Sequence, residues 1–301
     1  MNASSSLTRK RTWKDWLAAT RPWSFPASAI PVIVTLAYLH WQGADIHWGY
    51  GIWALLNIVV FHAVGNTWND VLDYRYGVDT PYTYGSQTIT SGLFTVKEIR
   101  GLALGLLVVA VAGGLGLTIC TGWTLLWIGA AGTVCALLYP YLKYRALGDV
   151  AIAVTYAWLP MWGTAFVATG SIHPETWVLA VPVGMITLAI LHANNTRDAA
   201  TDAGSHITTL AMKLGHRHSV RLYLFWVICP FVFLPACVAT GLLPAWSLLP
   251  MATLPLAVAN ARMMRKSAAG NTSGIARLDE RTAQLQLLFG VLLALSFVVA
   301  A

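Results

Sequence analysis

Apolar runs long enough to cross a bilayer recur along almost the whole chain, and no other feature constrains its fold as strongly. Counted between polar punctuation, nine runs of about 17 to 22 residues emerge. They fall at 24–41, 48–68, 102–118, 123–141, 148–168, 177–194, 220–238, 243–258 and 285–301. In lipid every backbone N–H and C=O needs an internal partner, so runs of this length form helices. The expected architecture is all-α: a polytopic membrane protein, one domain over residues 1–301, built as a bundle of nine transmembrane helices. Residues 1–20 are expected as a cytoplasmic tail with an amphipathic surface stretch around Trp13, Trp16 and Leu17. A mean hydropathy of +0.62 with only 10% charged residues excludes an ordinary water-soluble core of this length. Pro26 and Pro31 near the start of the first run, and Pro250 and Pro255 in the eighth, predict kinks.

The basic residues give the orientation. All 19 Lys and Arg fall before the first run or in every second loop after it, from Arg9, Lys10, Arg11, Lys14 and Arg21 to Arg277 and Arg281. The four intervening loops carry none. Basic loops stay inside, so the N-terminus is expected in the cytoplasm and the C-terminus outside, in a bacterial inner membrane. The net charge of +7 therefore reads as topology and as attraction for anionic lipid or substrate, with no call for nucleic acid. Trp23, Trp41, Trp48, Trp123, Trp177 and Trp246 mark the ends of runs, as an interfacial belt does. Cys120, Cys135, Cys229 and Cys237 lack metal-ligand spacing and read as packing residues.

Against this apolar background, five of the twelve Asp and Glu gather in two places. The second run ends in Asn66, Asn69, Asp70 and Asp73 and continues to Asp79; the sixth ends in Asn194, Asn195, Arg197, Asp198 and Asp202. Asn69 and Asp73 are four apart, as are Asp198 and Asp202, so on a continued helix each pair shares a face. Two such pairs facing each other suit hard cations. Mg2+ in particular is held by one or two carboxylates, waters and substrate phosphates. The long loops follow these stretches, as binding elements do. The stretches lie four helices apart, the spacing of a duplicated four-helix unit, although the halves share nothing further.

Both stretches, with Arg21-Pro22-Trp23-Ser24-Phe25-Pro26-Ala27-Ser28, Ser91-Gly92-Leu93, Tyr139-Pro140-Tyr141-Leu142-Lys143-Tyr144, Leu147-Gly148-Asp149 and Thr209-Leu210-Ala211, resemble the UbiA superfamily of intramembrane prenyltransferases. They are most similar to one branch, the 1,4-dihydroxy-2-naphthoate polyprenyltransferases of menaquinone synthesis and their animal vitamin K2-forming relative. The resemblance implies a bundle around a cavity open to the cytoplasm. It implies transfer of a prenyl chain from polyprenyl diphosphate to 1,4-dihydroxy-2-naphthoate with loss of CO2 and with Mg2+ as cofactor, in the lipid bilayer. Asn69, Asp73 and Asp79 would hold one ion, and Asp198 with Asp202 the other. Asn66, Asp70 and Asn195 are further cofactor-contacting positions, Asp70 behind the pair Asn69 and Asp73. Lys143, Arg197 and Arg21 are the expected diphosphate contacts, each with the plainer reading of an interfacial charge that sets topology. Tyr139, one turn before Lys143, reads equally as a group that orients the acceptor or shields a carbocation and as a belt tyrosine.

Asp149 reads as a helix N-terminal acid, and His62 and His192 as hydrogen-bonded interior histidines. Two positions depart from the family pattern. Gly77 stands where other branches have a third acid, with Asp79 two residues on, and His206 stands where a glycine is expected. Other acceptors, such as 4-hydroxybenzoate, homogentisate or a porphyrin, remain the alternative within the family. A secondary transporter is the alternative outside it, opposed by acids that gather at helix ends rather than at mid-bilayer.

Overall fold

The apolar runs fold as helices throughout residues 10–80, 87–205 and 207–301, which the structure, a computed structural model, describes. Arg9, the rest of the first nine residues, and His206 lie outside the described residues. The chain opens with a short helix, α1 (Trp13–Ala19), started by a reciprocal Thr12–Asp15 capping box. Trp13 and Leu17 are exposed, while Trp16 packs edge-on against Phe94 with centroids 4.7 Å apart. A single 3-10 turn (Pro22–Ser24) then leads into α2 (Pro26–Trp41).

Next come α3 (Trp48–Arg75), α4 (Val96–Thr121) and α5 (Thr124–Lys143). The fifth run, Gly148–Thr169, is one continuous helix with a π-type turn at its middle: α6 (Gly148–Ala153), the turn Val154–Trp158, and α7 (Leu159–Thr169). α8 (Trp177–Asp202), the short α9 (Leu210–Leu214) and α10 (His216–Ala239) follow, then α11 (Leu254–Lys266) and α12 (Leu278–Ala300). Among the described residues, eight helices are long and apolar enough to cross a membrane.

The expected eighth run, 243–258, is built differently from the rest. It forms a nine-residue 3-10 segment, Ala245–Thr253, that turns into α11. Pro250 and Pro255 each lack an N–H and clash with the preceding turn, so a regular α-helix does not propagate through this run. The kink expected there is a change of helix type.

Two helices outrun their apolar segments. At 1.5 Å per residue the 28 residues of α3 reach about 42 Å and the 26 of α8 about 39 Å, well beyond a hydrocarbon core of about 30 Å. The excess in each case is the acidic stretch. The second expected long loop is also absent as a loop: after Asp202 a 3-10 turn and α9 lead directly to α10.

The largest core cluster joins α2, α8, α10, α11 and α12, with Ile30, Ile186, Tyr223, Met264 and Phe289 buried in it. Gly290 lets α12 lie directly on α2, because a Cβ there would collide with the Ile30 side chain. Tyr223 places its hydroxyl 2.7 Å from Thr282 Oγ1, joining α10 to α12 through the one polar atom of an otherwise apolar contact.

Candidate active site

The acidic stretches are continuous with their helices, and the period of the helix decides what each residue meets. On α3, Asn66, Asn69 and Asp73 follow one another at three- and four-residue steps and line a cavity of about 620 Å³. On α8, Asn194, Asn195, Asp198, Thr201 and Asp202 line the same cavity. Arg21, Asp79, Tyr139 and Lys143 join them at the same end. Earlier lining positions are mainly apolar, with Ala54, Ile58 and Phe61 on α3 and Leu125, Gly129 and Gly132 on α5, and with Asn57, His62 and Thr133 as polar exceptions. From residue 54 to residue 73 α3 rises about 28 Å, so the cavity grades from an apolar tunnel to an acidic end.

Asp73 is the hub of that end. Its Oδ2 accepts from Asn69 Nδ2 at 2.5 Å and lies 3.6 Å from Lys143 Nζ, and its Oδ1 accepts from Tyr144 Oη at 2.5 Å. With its amide hydrogen given to Asp73, Asn69 keeps a buried Oδ1 that meets no protein donor. Asp79 reaches the same cavity because of Gly77. The chain reverses there at φ +70°, where an L side chain is strained, and the Val78 N–H bonds back to the Asp73 carbonyl at 2.8 Å. The departure from the family's third acid is thus a change of route that returns a carboxylate to the site. Burial pushes the Asp79 carboxyl up to about 7, and the neighbouring Asp73 carboxylate adds to the shift.

Two expected site residues do not line the cavity. Asp70 is buried against the guanidinium of Arg21, whose backbone sits in the left-handed region at φ +55°. Arg197 faces the other way, toward the start of α12. It donates to Asp279 Oδ2 at 2.7 Å, to the Ala276 carbonyl at 3.1 Å and to Asn194 Oδ1 at 2.6 Å. It also forms a two-pronged bond to Asp198 at 2.7 and 2.8 Å. A guanidinium so occupied fastens α8 to α12.

Tyr144 was quoted in the sequence motif without a role, and its signal was its place directly after Lys143. Burial and the Asp73 carboxylate raise its phenol above the usual value, which keeps it a donor. Its backbone carbonyl accepts from the Thr208 N–H at 3.0 Å, so one residue touches the first acidic stretch and the loop behind the second. Asp149 makes no capping bond. Its carboxylate is buried with His192 Nδ1 3.6 Å away, and His192 Nε2 donates to the Ser219 carbonyl at 3.1 Å.

The donor set fits a hard divalent cation: carboxylate and amide oxygens, one of them an orphaned buried Oδ1, converge on one end of a cavity. Among the described residues no three His, Cys, Asp or Glu side chains come close enough to form a complete cage.

Fold and site together define an all-α polytopic membrane protein with an acid-ended cavity. The chain belongs to the UbiA prenyltransferase family, which its sequence matches over residues 28–277. It is 28% identical over 299 residues to UbiA prenyltransferase domain-containing protein 1 of Xenopus tropicalis, covering 97% of this chain and 84% of that protein. It is 28% identical over 267 residues to the 1,4-dihydroxy-2-naphthoate octaprenyltransferase of Mycobacterium leprae (strain TN), covering 86% and 88%. A UbiA homolog from Aeropyrum pernix K1 superposes with a TM-score of 0.68 at 15% identity, over 92% of this chain and 96% of that one. A UbiA homolog from Archaeoglobus fulgidus bound to GPP and Mg2+ does so with a TM-score of 0.62 at 11% identity, over 93% and 99%. At these identities the structural matches establish the fold.

Proposed function

We propose that the protein transfers a polyprenyl chain from polyprenyl diphosphate to 1,4-dihydroxy-2-naphthoate, with Mg2+ and with loss of the acceptor carboxylate as CO2. The observation that carries this reading is the graded cavity, apolar along α3 and α5 and acidic where α3 and α8 end. An apolar tail with a diphosphate head is the ligand shape such a gradient fits. The family supplies the reaction class. The naphthoate acceptor rests on the sequence motifs and on the name of the mycobacterial relative.

In this reading Asn69, Asp73 and Asp79 hold one ion, and Asp198 with Asp202 the other. When bound, Mg2+ neutralises charge that develops on the diphosphate as its bond to the prenyl carbon breaks. Lys143, held 3.6 Å from Asp73, adds a fixed positive charge at the same end. Tyr144 and Asn69 fix the rotamer of Asp73. The apolar walls hold the prenyl chain and keep water from the allylic carbon, and Tyr139 faces the space between head and tail. Arg197 acts as the brace of α8, and Arg21 together with Asp70 as the brace of α3. The acidic end faces the cytoplasm, with the N-terminus on that side.

The test is product analysis with purified protein, Mg2+, 1,4-dihydroxy-2-naphthoate and a series of prenyl diphosphates, with Asp73→Ala and Asp198→Ala in parallel. A prenylated, decarboxylated naphthoquinol that disappears with EDTA and in both variants is the expected result. Turnover of another phenolic acceptor in place of naphthoate overturns the acceptor, and full activity in both variants overturns the site.

A further inference from the structure

One turn of α3 before Asn66, the cavity wall carries His62, 7% exposed and locked on both sides. Its ring lies 5.0 Å edge-on to Tyr156, in the π-type turn, and 5.6 Å from Phe25. Both ring nitrogens meet serines of the first helical segment: Nε2 lies 3.2 Å from Ser24 Oγ and Nδ1 2.9 Å from Ser28 Oγ. The surrounding bonds assign the tautomer. The Ser24 hydroxyl donates to the Arg21 carbonyl at 2.8 Å and accepts from Asn66 Nδ2 at 3.0 Å, so toward His62 it has only a lone pair left. Nε2 therefore carries the hydrogen, and Nδ1 is the acceptor.

Ser28 then donates to Nδ1, yet it has a second acceptor in reach, the Phe25 carbonyl at 3.1 Å. When Nδ1 takes up a proton, the Ser28 hydroxyl turns to that carbonyl, and no hydrogen bond is lost. Ser28 itself lines the cavity. A cavity-facing hydroxyl bonded to an imidazole that a third group orients is an arrangement for moving a proton.

We propose that Ser28 and His62 receive the hydroxyl proton of the aromatic acceptor, an assignment that rests on the prenyltransferase reading above. As the ring carbon next to the hydroxyl bonds to the prenyl carbon, the C–O bond to the diphosphate breaks and its electron pair leaves with the diphosphate. The acceptor O–H pair stays on oxygen as C=O forms. The proton goes to Ser28 Oγ, and the proton of Ser28 goes to His62 Nδ1. Loss of the carboxylate from that same ring carbon as CO2 returns its C–C pair to the ring, and the proton passes back through Ser28 to the ring oxygen. Atoms and charge balance without a further reactant. The acceptor ring then lies against Tyr156, at the wall away from the metal ligands.

The experiment compares wild type with Ser28→Ala and His62→Gln on the hydroxylated acceptor and on the same acceptor with that hydroxyl methylated. Proton transfer by a positioned group contributes roughly 10²–10⁴-fold, so kcat on the hydroxylated acceptor falls by about 100-fold or more in both variants. KM for prenyl diphosphate stays within twofold, and the methylated acceptor shows no further loss in the variants. Both variants within twofold of wild type in kcat overturn the assignment, as does an equal loss on the methylated acceptor. Wild type that prenylates no aromatic acceptor overturns the underlying reading and this assignment with it.

Discussion

Replacing Tyr144 by Phe removes one oxygen from the polar end of the cavity and leaves the rest of its surroundings in place. The ring keeps its edge contact with Tyr76 at 5.2 Å, and the backbone bond to Thr208 is untouched. What goes is the 2.5 Å bond to Asp73 Oδ1, a neutral donor on a buried carboxylate. Hydrogen bonds to charged groups are worth about 1.5–3 kcal/mol. Two effects then oppose one another: Oδ1 gains a lone pair for a cation, and Asp73 loses the partner that holds its rotamer. The carboxylate already has lone pairs to spare, whereas loss of an orienting partner typically weakens metal affinity about 10- to 100-fold, so orientation wins. The expected result is a rise of that size in the Mn2+ dissociation constant of purified protein without substrate, followed by electron paramagnetic resonance. The half-saturating Mg2+ concentration for turnover should rise in parallel. A dissociation constant within twofold of wild type would refute the reasoning, and would mean that Asn69 and Lys143 suffice to hold Asp73.

In the proposed reading, Asp79 is expected to make cation binding pH-dependent. Its carboxyl is raised to about 7, so the metal-free folded protein keeps a proton there that the unfolded chain releases near pH 4. Metal-free stability therefore falls as pH rises from about 4 to about 7, and the cost is fully present above that window. The cation needs the ionised form, so half-saturation by Mg2+ requires about tenfold more metal at pH 6 than at pH 8; Asp79→Asn should flatten the profile, and a flat wild-type profile would count against the role. Arg197→Met tests whether that guanidinium braces the fold or binds the head group. Removing one partner of a buried ion pair costs about 3–5 kcal/mol, less here because Asp198 and Asp279 keep 18% and 21% exposure. The expected outcome is a lower melting temperature with KM for prenyl diphosphate within twofold; an unchanged melting temperature with a tenfold higher KM would restore the direct contact.

Most of the helix plan was legible, because hydropathy reports contact with lipid. The same measure placed helix ends too early. It ended the second run at Trp68 and the sixth at Asn194, whereas α3 continues to Arg75 and α8 to Asp202. Those turns lie beyond the apolar segments and mix buried with exposed positions, so hydropathy says nothing about where the helix stops. The eighth run was apolar enough, and its prolines foretold a kink without revealing its form. Within the site, the pairs Asn69–Asp73 and Asp198–Asp202 were correctly put on common faces by their spacing. The period alone did not set Asp70 and Arg197 apart, because the lining itself includes the consecutive pairs Asn194–Asn195 and Thr201–Asp202. Tyr144 was legible only as the neighbour of Lys143: its partner lies 71 residues earlier, and only the turn after α5 aims the phenol at it.

The bracing contacts of the two arginines bear on the charge of the acidic end. Arg21 is held by Asp70, and Arg197 is held by Asp279 and Asp198 at the foot of α12. Each acidic helix thus shows one face to the cavity and is clamped through the next face to a segment near a chain terminus. The arginines nearest the site are consumed in this bracing. The cavity end is left with the carboxylates of Asp73, Asp79, Asp198 and Asp202 against Lys143 and an Arg21 already paired. Such an end repels a diphosphate at neutral pH, and one lysine does not reverse the sign. In the proposed reading divalent ions would supply the missing positive charge beside Lys143. The charge of the lining thus supports the proposed metal dependence alongside its donor types.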